Sequence, residues 1–225
     1  MNTISNDGFQ LHNRHFVLPR HRVVRTTFSM RCWIFCQRLI AMLALCILSP
    51  LIFVMWALVK GTSKGPFLFT QERPGIEGKT FKIFKVRTMQ VGSEKATALG
   101  VQNNSPQVTS IGRILRTLKL DELPQLWNVA CGDMALVGPR PIPSKLNEEL
   151  CEKIPGFSRR YQIRPGLTSI GQICVNDNAL DDKLVEDWKI RFEGELHYMR
   201  HRSVLYDFVM IAMTSLYVFK KFLEK

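Results

Sequence analysis

The chain has no pair of cysteines at C-x-x-C spacing and no cysteine–histidine cluster of the kind that grips structural zinc, although six cysteines stand at 32, 36, 46, 131, 151 and 174. A zinc module is set aside, and unpaired thiols predict a reducing compartment. There is no G-x-x-x-x-G-K-[ST] loop and no G-x-G-x-x-G behind a strand, which leaves a P-loop ATPase or a dinucleotide enzyme without support. Internal repeats and low-complexity tracts are missing as well. Acids are scarce: 19 Asp and Glu face 31 Lys and Arg, a formal net charge of +12 over 225 residues. Such a surface attracts anions, whether nucleic acid, phosphorylated small molecules or acidic lipid. With 46% hydrophobic and 22% charged residues, the composition excludes both a disordered acidic tail and a polytopic transporter.

What is plentiful is apolar sequence. Residues 39–59 read LIAMLALCILSPLIFVMWALV without a charge, enough for a straight helix to cross a hydrocarbon core of roughly 30 Å. A cleavable signal is a poor reading, since 38 residues precede the run and no A-x-A-like site closes it. Ser49 and Pro50 interrupt its middle, where proline removes a backbone donor and frees the carbonyl of Cys46 at a cost of about 3 kcal/mol or more. Ahead of the run, six arginines (Arg14, Arg20, Arg22, Arg25, Arg31, Arg38) face one acid, Asp7; behind it come Lys60, Lys64, Arg73, Lys79, Lys82, Lys85 and Arg87. Both flanks carry the charge of a cytoplasmic segment. A bent span and a re-entrant hairpin both remain open on these features.

Behind the apolar run, residues 66–71 and 79–86 are aromatic and β-branched around a turn at 73–78, which predicts a β-hairpin. Residues 91–110 are small and polar and read as a functional lid, with helical spacing resuming at 111–118. Arg164-Pro165-Gly166 marks a turn into a strand-like stretch at 167–175. An amphipathic helix is expected over 180–199, with Leu184, Trp188, Phe192, Leu196 and Met199 on one stripe. Residues 203–219 carry only one charge, Asp207, and read as a helix that either belongs to the core or lies in a membrane interface, the basic Lys220-Lys221 behind it favouring the interface.

The densest chemistry lies between 111 and 143. Asp121 and Glu122 follow a basic helix with Arg113, Arg116 and Lys119, and Pro124 fits only the first turn of a new helix, so Asp121 is expected near its N-cap. The pair admits two readings: a cap with a solvated neighbour, or two carboxylates, one nucleophile and one metal ligand, aimed at phosphate by surrounding cations. Spacing alone leaves both standing.

Four segments, KVRTM at 85–89, LDELPQLWNV at 120–129, GDMALVGPRP at 132–141 and RPGLTSIGQ at 164–172, together resemble the bacterial sugar transferases, monotopic phosphoglycosyl transferases that start glycan assembly on polyprenyl phosphate. The resemblance covers about residues 38–219 and implies a mostly helical α+β fold: a re-entrant helix-break-helix broken at Ser49-Pro50, then a small cytoplasmic catalytic domain with a β-hairpin and amphipathic interfacial helices. The implied partition is a basic leader at 1–38, the hairpin at 39–59 and the catalytic domain at 60–225, on the cytoplasmic face of a bacterial inner membrane. It further implies that Asp121 attacks a UDP-sugar and expels UMP, that Glu122 ligates Mg²⁺, and that Arg116, Arg140, Lys85, Arg87 and Arg164 are candidates for binding substrate phosphate before transfer to undecaprenyl phosphate. Without the several N-terminal spans of larger members, the chain resembles the minimal catalytic form. Val86, Ala130-Cys131, Ala135, Ser169 and residues 173–178 depart from the usual pattern, which leaves the sugar open; a homodimer stays open too. The rival classes are a nucleic-acid-binding protein and a membrane scaffold without catalysis. The first is disfavoured because the cations flank carboxylates and an apolar anchor instead of interleaving with stacking aromatics.

Overall fold

The computed structural model describes residues 27–93, 105–174 and 184–223. The expected lid therefore falls mostly outside the described residues, as do positions 180–183 of the amphipathic helix.

The apolar run belongs to a longer helix, α1 (Phe28–Thr62), which takes in residues 28–38 as well. Thr27 caps it, its hydroxyl accepting from the Met30 amide at 3.3 Å. The expected break is not a break in the helix: backbone helicity runs through Ser49 and Pro50. The reason is local, because the Ser49 hydroxyl donates at 2.8 Å to the Cys46 carbonyl that the proline ring leaves without a partner.

One face of α1 is in contact with the rest of the chain along its whole length. Trp33 and Gln37 near its start meet Asp207. Ala41, Ala44, Leu45 and Leu48 pack with Ile83, Leu126, Val129 and Met134, while Ile52, Met55 and Val59 pack with Val86, Leu115, Leu120 and Leu123. The opposite face leaves Leu43, Ile47, Phe53 and Val54 exposed. By length and composition the helix could cross a membrane, yet both of its ends rest on the same folded body.

The hairpin forms as the alternation suggests. Strands β1 (Leu68–Pro74) and β2 (Thr80–Val86) pair antiparallel, from Leu68 opposite Val86 to Pro74 opposite Thr80. Alternation puts Phe81, Ile83 and Lys85 on one face, the face carrying Ile83 into the core. Then come α2 (Ser110–Thr117), α3 (Gln125–Cys131), β3 (Ala135–Val137), α4 (Ser144–Lys153), β4 (Gly166–Thr168), α5 (Ile170–Cys174), α6 (Leu184–His201) and α7 (Val204–Leu223). The strand expected over 167–175 is only the three residues of β4, and the chain turns helical at Ile170. β4 pairs in parallel with β3. The two strands meet through glycine: a Cβ on Gly166 would lie 2.1 Å from the Gly138 amide nitrogen, so neither segment could approach the other with a side chain there.

The α6 stripe is as expected, with Trp188 and Phe192 buried against Ile142, Leu146, Leu150, Ile154 and Phe157. α7 keeps Leu205, Phe208, Leu216 and Phe219 exposed, but its one acid points inward. Asp207 is fully buried and accepts from Trp33 Nε1 (2.7 Å), Gln37 Nε2 (3.3 Å) and the Tyr198 hydroxyl (2.6 Å). Gln37 in turn accepts from the Leu136 amide at 2.8 Å. One buried carboxylate thus ties α1, α6 and α7 together, and the Trp33 and Phe208 rings meet above it with centroids 4.8 Å apart.

Candidate active site

α2 ends where Lys119 adopts a left-handed conformation (φ 55°). The chain then makes a tight turn, Leu120–Glu122, before α3 begins. Asp121 is therefore not the N-cap of α3, which is Pro124; the turn separates them. Leu120 and Leu123, on either side of the two acids, sit in the cluster with Met55 and Val59, and Leu126 and Val129 continue along Ala41 and Leu48. The carboxylates are thereby mounted directly on α1.

Around them the fold gathers cations. Lys85 Nζ and Arg140 Nη2 both donate to Glu122 Oε1, at 3.0 and 3.1 Å. Burial alone would raise the Glu122 pKa, but Lys85, Arg140 and Lys119 outweigh it and hold the group well below the usual carboxylate range. Asp121, 8% exposed, goes the other way: burial first, then the Glu122 charge, push its pKa above the ordinary range, with Lys85, Lys119 and Arg116 opposing. Two neighbouring carboxylates with opposite shifts are the usual mark of a division of labour. Arg116 donates through Nε to Thr88 Oγ1 at 2.8 Å; burial lowers its pKa and Asp121 raises it.

Sequence reasoning missed three residues here. Arg73, on β1, holds the Pro141 carbonyl (3.2 Å) and Gln71 Oε1 (2.7 Å). Burial and the Arg140 charge push its pKa down to about 9, partly offset by Glu122. The other two are Arg160 and Glu195, a buried ion pair at 2.7 Å with side chains only 1% and 2% exposed. Glu195 Oε1 accepts from the Arg140 amide at 3.0 Å, and Arg160 Nη2 donates to the Arg140 carbonyl at 2.6 Å. The available signal was an acid on the apolar stripe of α6, seven residues beyond Trp188.

Of the remaining candidates, Arg87 and Arg164 are not brought to Glu122. Arg87 is buried, its guanidinium bonded to Ser63 O and Oγ, both at 2.9 Å, and to the Lys64 carbonyl, in space that a side chain on Gly65 would take. Arg164 Nε donates to the Gly132 carbonyl at 2.7 Å, beside Arg38, which holds the Ala130 and Cys131 carbonyls at the C-terminus of α3. Both arginines serve main-chain carbonyls.

The sequence profile described as "Bacterial sugar transferase" matches residues 30–221. A UDP-glucose:undecaprenyl-phosphate glucose-1-phosphate transferase of Klebsiella pneumoniae is 37% identical over 187 residues, 83% of this chain and 39% of the relative. A UDP-N-acetylgalactosamine-undecaprenyl-phosphate N-acetylgalactosaminephosphotransferase of Aeromonas hydrophila is 35% identical, covering 78% of this chain and 41% of that protein. The exopolysaccharide production protein ExoY of Sinorhizobium fredii is 35% identical over 78% of this chain and 80% of its own length. The chain thus spans about two fifths of the length of the first two relatives and most of the third. Since the matched region runs from the start of α1 to the end of α7 and contains the paired acids with their cations, the chain belongs to the bacterial sugar transferase family.

Proposed function

We propose that this chain transfers a sugar 1-phosphate from a UDP-sugar to undecaprenyl phosphate in two displacements. In the first, an Asp121 carboxylate oxygen attacks the sugar-linked phosphorus; the bond from that phosphorus to the bridging oxygen breaks, and UMP leaves. In the second, a phosphate oxygen of undecaprenyl phosphate attacks the same phosphorus and the acyl phosphate bond breaks. The products are undecaprenyl diphosphosugar and a regenerated Asp121 carboxylate.

The observation that carries this reading is the asymmetry of the acid pair. A carboxylate approaching a diphosphate meets repulsion of about 4 kcal/mol per charge pair at 4 Å in an effective dielectric near 20. Lys85, Arg140, Arg116, Arg73 and Lys119 supply counter-charge on several sides of the acids. Glu122 is kept ionised to organise Lys85 and Arg140, while Asp121, raised toward neutrality by burial, keeps a more basic and more nucleophilic oxygen. Two adjacent acids also suit Mg²⁺, which commonly takes one or two carboxylates and completes its shell from substrate oxygens and water. Among the described residues no cluster of three or more His, Cys, Asp or Glu offers a full protein cage, so Glu122 would be the principal ligand. When bound, the ion would supply positive charge to the diphosphate oxygens and to departing UMP.

The same reading places α1 in one leaflet of the inner membrane with both of its ends on the cytoplasmic side. It is supported by the contacts of both helix ends with one body and by the exposed apolar faces of α1 and α7, which far exceed the scattered apolar residues of an ordinary surface. A lipid-linked acceptor and a soluble nucleotide can then meet at headgroup level. The relatives' names make UDP-glucose and UDP-N-acetylgalactosamine the first donors to try. The test is UMP release by the purified chain with Mg²⁺, undecaprenyl phosphate and a panel of UDP-sugars. Release with at least one donor, abolished in Asp121→Asn, is expected; full activity in that variant would refute the assignment.

A further inference from the structure

Arg140 is held at its main chain on both sides. Its amide donates to Glu195 Oε1 at 3.0 Å and its carbonyl accepts from Arg160 Nη2 at 2.6 Å, while Arg160 and Glu195 bond each other at 2.7 Å. The flanking residues are gripped as well: the Pro139 carbonyl accepts from the Gly166 amide at 2.9 Å and the Pro141 carbonyl from Arg73 Nη1 at 3.2 Å. Two prolines already restrict this tripeptide, and the bond to Glu195 engages its one backbone N–H, that of Arg140. That side chain ends on Glu122 Oε1.

A bland explanation is available, namely that the pair simply holds the core together. It does not account for the bonding pattern. Replacing a buried ion pair by apolar residues of similar volume is often neutral or stabilising, so burial of Arg160 and Glu195 is weak as a source of stability. Both partners instead spend a hydrogen bond on opposite sides of one residue, and that residue reaches the candidate active site. Arg160 is in turn locked by aromatic faces, its guanidinium carbon lying 4.7 Å from the Phe157 ring centroid and 5.4 Å from that of Trp188. Through Trp188 and Phe157 the clamp is built into the α4–α6 core.

We propose that the Glu195–Arg160 pair is a positioning device for the transfer reaction, fixing the backbone of Arg140 so that its guanidinium meets Glu122 and the donor diphosphate. The proposal rests on the function assigned above. Neither Glu195 nor Arg160 touches substrate; both act through Arg140.

A double-mutant cycle tests this, with kcat/KM for UMP release measured on the full chain as wild type, Glu195→Met, Arg140→Gln and the double variant, each checked for folding by circular dichroism. Misplacing a catalytic group by about 1 Å can cost roughly 100-fold, so Glu195→Met, which removes the acceptor at similar volume, is expected to lower kcat/KM about 10- to 100-fold in the wild-type background and less than about 2-fold once Arg140 is already Gln. Equal losses in both backgrounds, or no loss in the first, would overturn the proposal. Should Glu195→Met not fold, Arg160→Lys keeps the ion pair with a point charge in place of the fork and runs through the same cycle. Amide hydrogen exchange at Arg140 gives a readout independent of turnover: it should quicken in Glu195→Met, which has no oxygen to accept the amide, relative to wild type, and unchanged protection would count against the clamp. Folded wild-type protein that releases no UMP with any donor would overturn the reaction itself, leaving exchange to judge the clamp.

Discussion

Asp121 and Glu122 are neighbours in sequence and unlike in chemistry. Glu122 meets Lys85 and Arg140 head on, whereas Asp121 is buried beside its partner's charge. The sign of the resulting pH effect follows directly. A carboxyl with a raised pKa takes up its proton at a higher pH than usual, and under the proposed mechanism only the deprotonated form attacks; activity should therefore be lost as pH falls through that raised value. The acid limb of the kcat/KM profile should lie above the ordinary aspartate value of about 3.9. A limb at or below that value would show that burial is not what tunes Asp121. The same shift means that ionising Asp121 costs stability: the cost is absent below its unfolded pKa, where the group is protonated in both states, and is fully felt once pH has risen through its raised folded one. Arg87 makes the contrasting case. With three bonds to the carbonyls and hydroxyl that follow α1, Arg87→Gln should read out in the melting temperature. A loss of roughly 2–3 kcal/mol from leaving buried groups unpaired is expected, some 4–12 °C for a chain of this size by calorimetry. An unchanged melting temperature with a raised KM would return Arg87 to the substrate site.

Among the elements, α1, α6 and α7 depend on Asp207. Asp207→Ala would leave the Trp33 indole, the Gln37 amide and the Tyr198 hydroxyl without their shared acceptor. A destabilisation of roughly 3 kcal/mol or more is expected in denaturant unfolding, and Trp33→Phe should recover the smaller part of that effect. A loss below about 1 kcal/mol would mean that the three helices are held by apolar packing alone. The same position shows how far sequence could be read. The hairpin and the α6 stripe were legible because alternation and helical period are local signals, and Ser49-Pro50 was legible as the stress point of α1. The continuity of that helix was not, since it turns on one hydroxyl rotamer. Asp207 looked like a lone charge on an interfacial helix because its partners at 33 and 37 lie some 170 residues away. Likewise Arg87, Arg140 and Arg164 are equivalent as positive charges in family-like motifs, and only the fold decides that one reaches a carboxylate while the other two reach main-chain carbonyls. Arg73, Arg160 and Glu195 carried no motif at all.

For the whole molecule, the arrangement is one body with a long apolar helix laid along it and the acid pair mounted on that helix. Its orientation has a direct check: single-cysteine variants at Ser29 and Lys64, exposed positions at the two ends of α1. In cells, a membrane-impermeant maleimide should label neither from outside and both once the cytoplasmic face is opened. External labelling of either site would make α1 a true span. The transfer chemistry itself is tested most directly by trapping. Incubating the chain with a UDP-sugar and Mg²⁺ but no acceptor, then quenching in acid and analysing peptides by mass spectrometry, should yield one mole of UMP per mole of active enzyme and a sugar-phosphate mass on the peptide holding Asp121. Release of UMP only when undecaprenyl phosphate is also present, or the added mass on any other side chain, would contradict it.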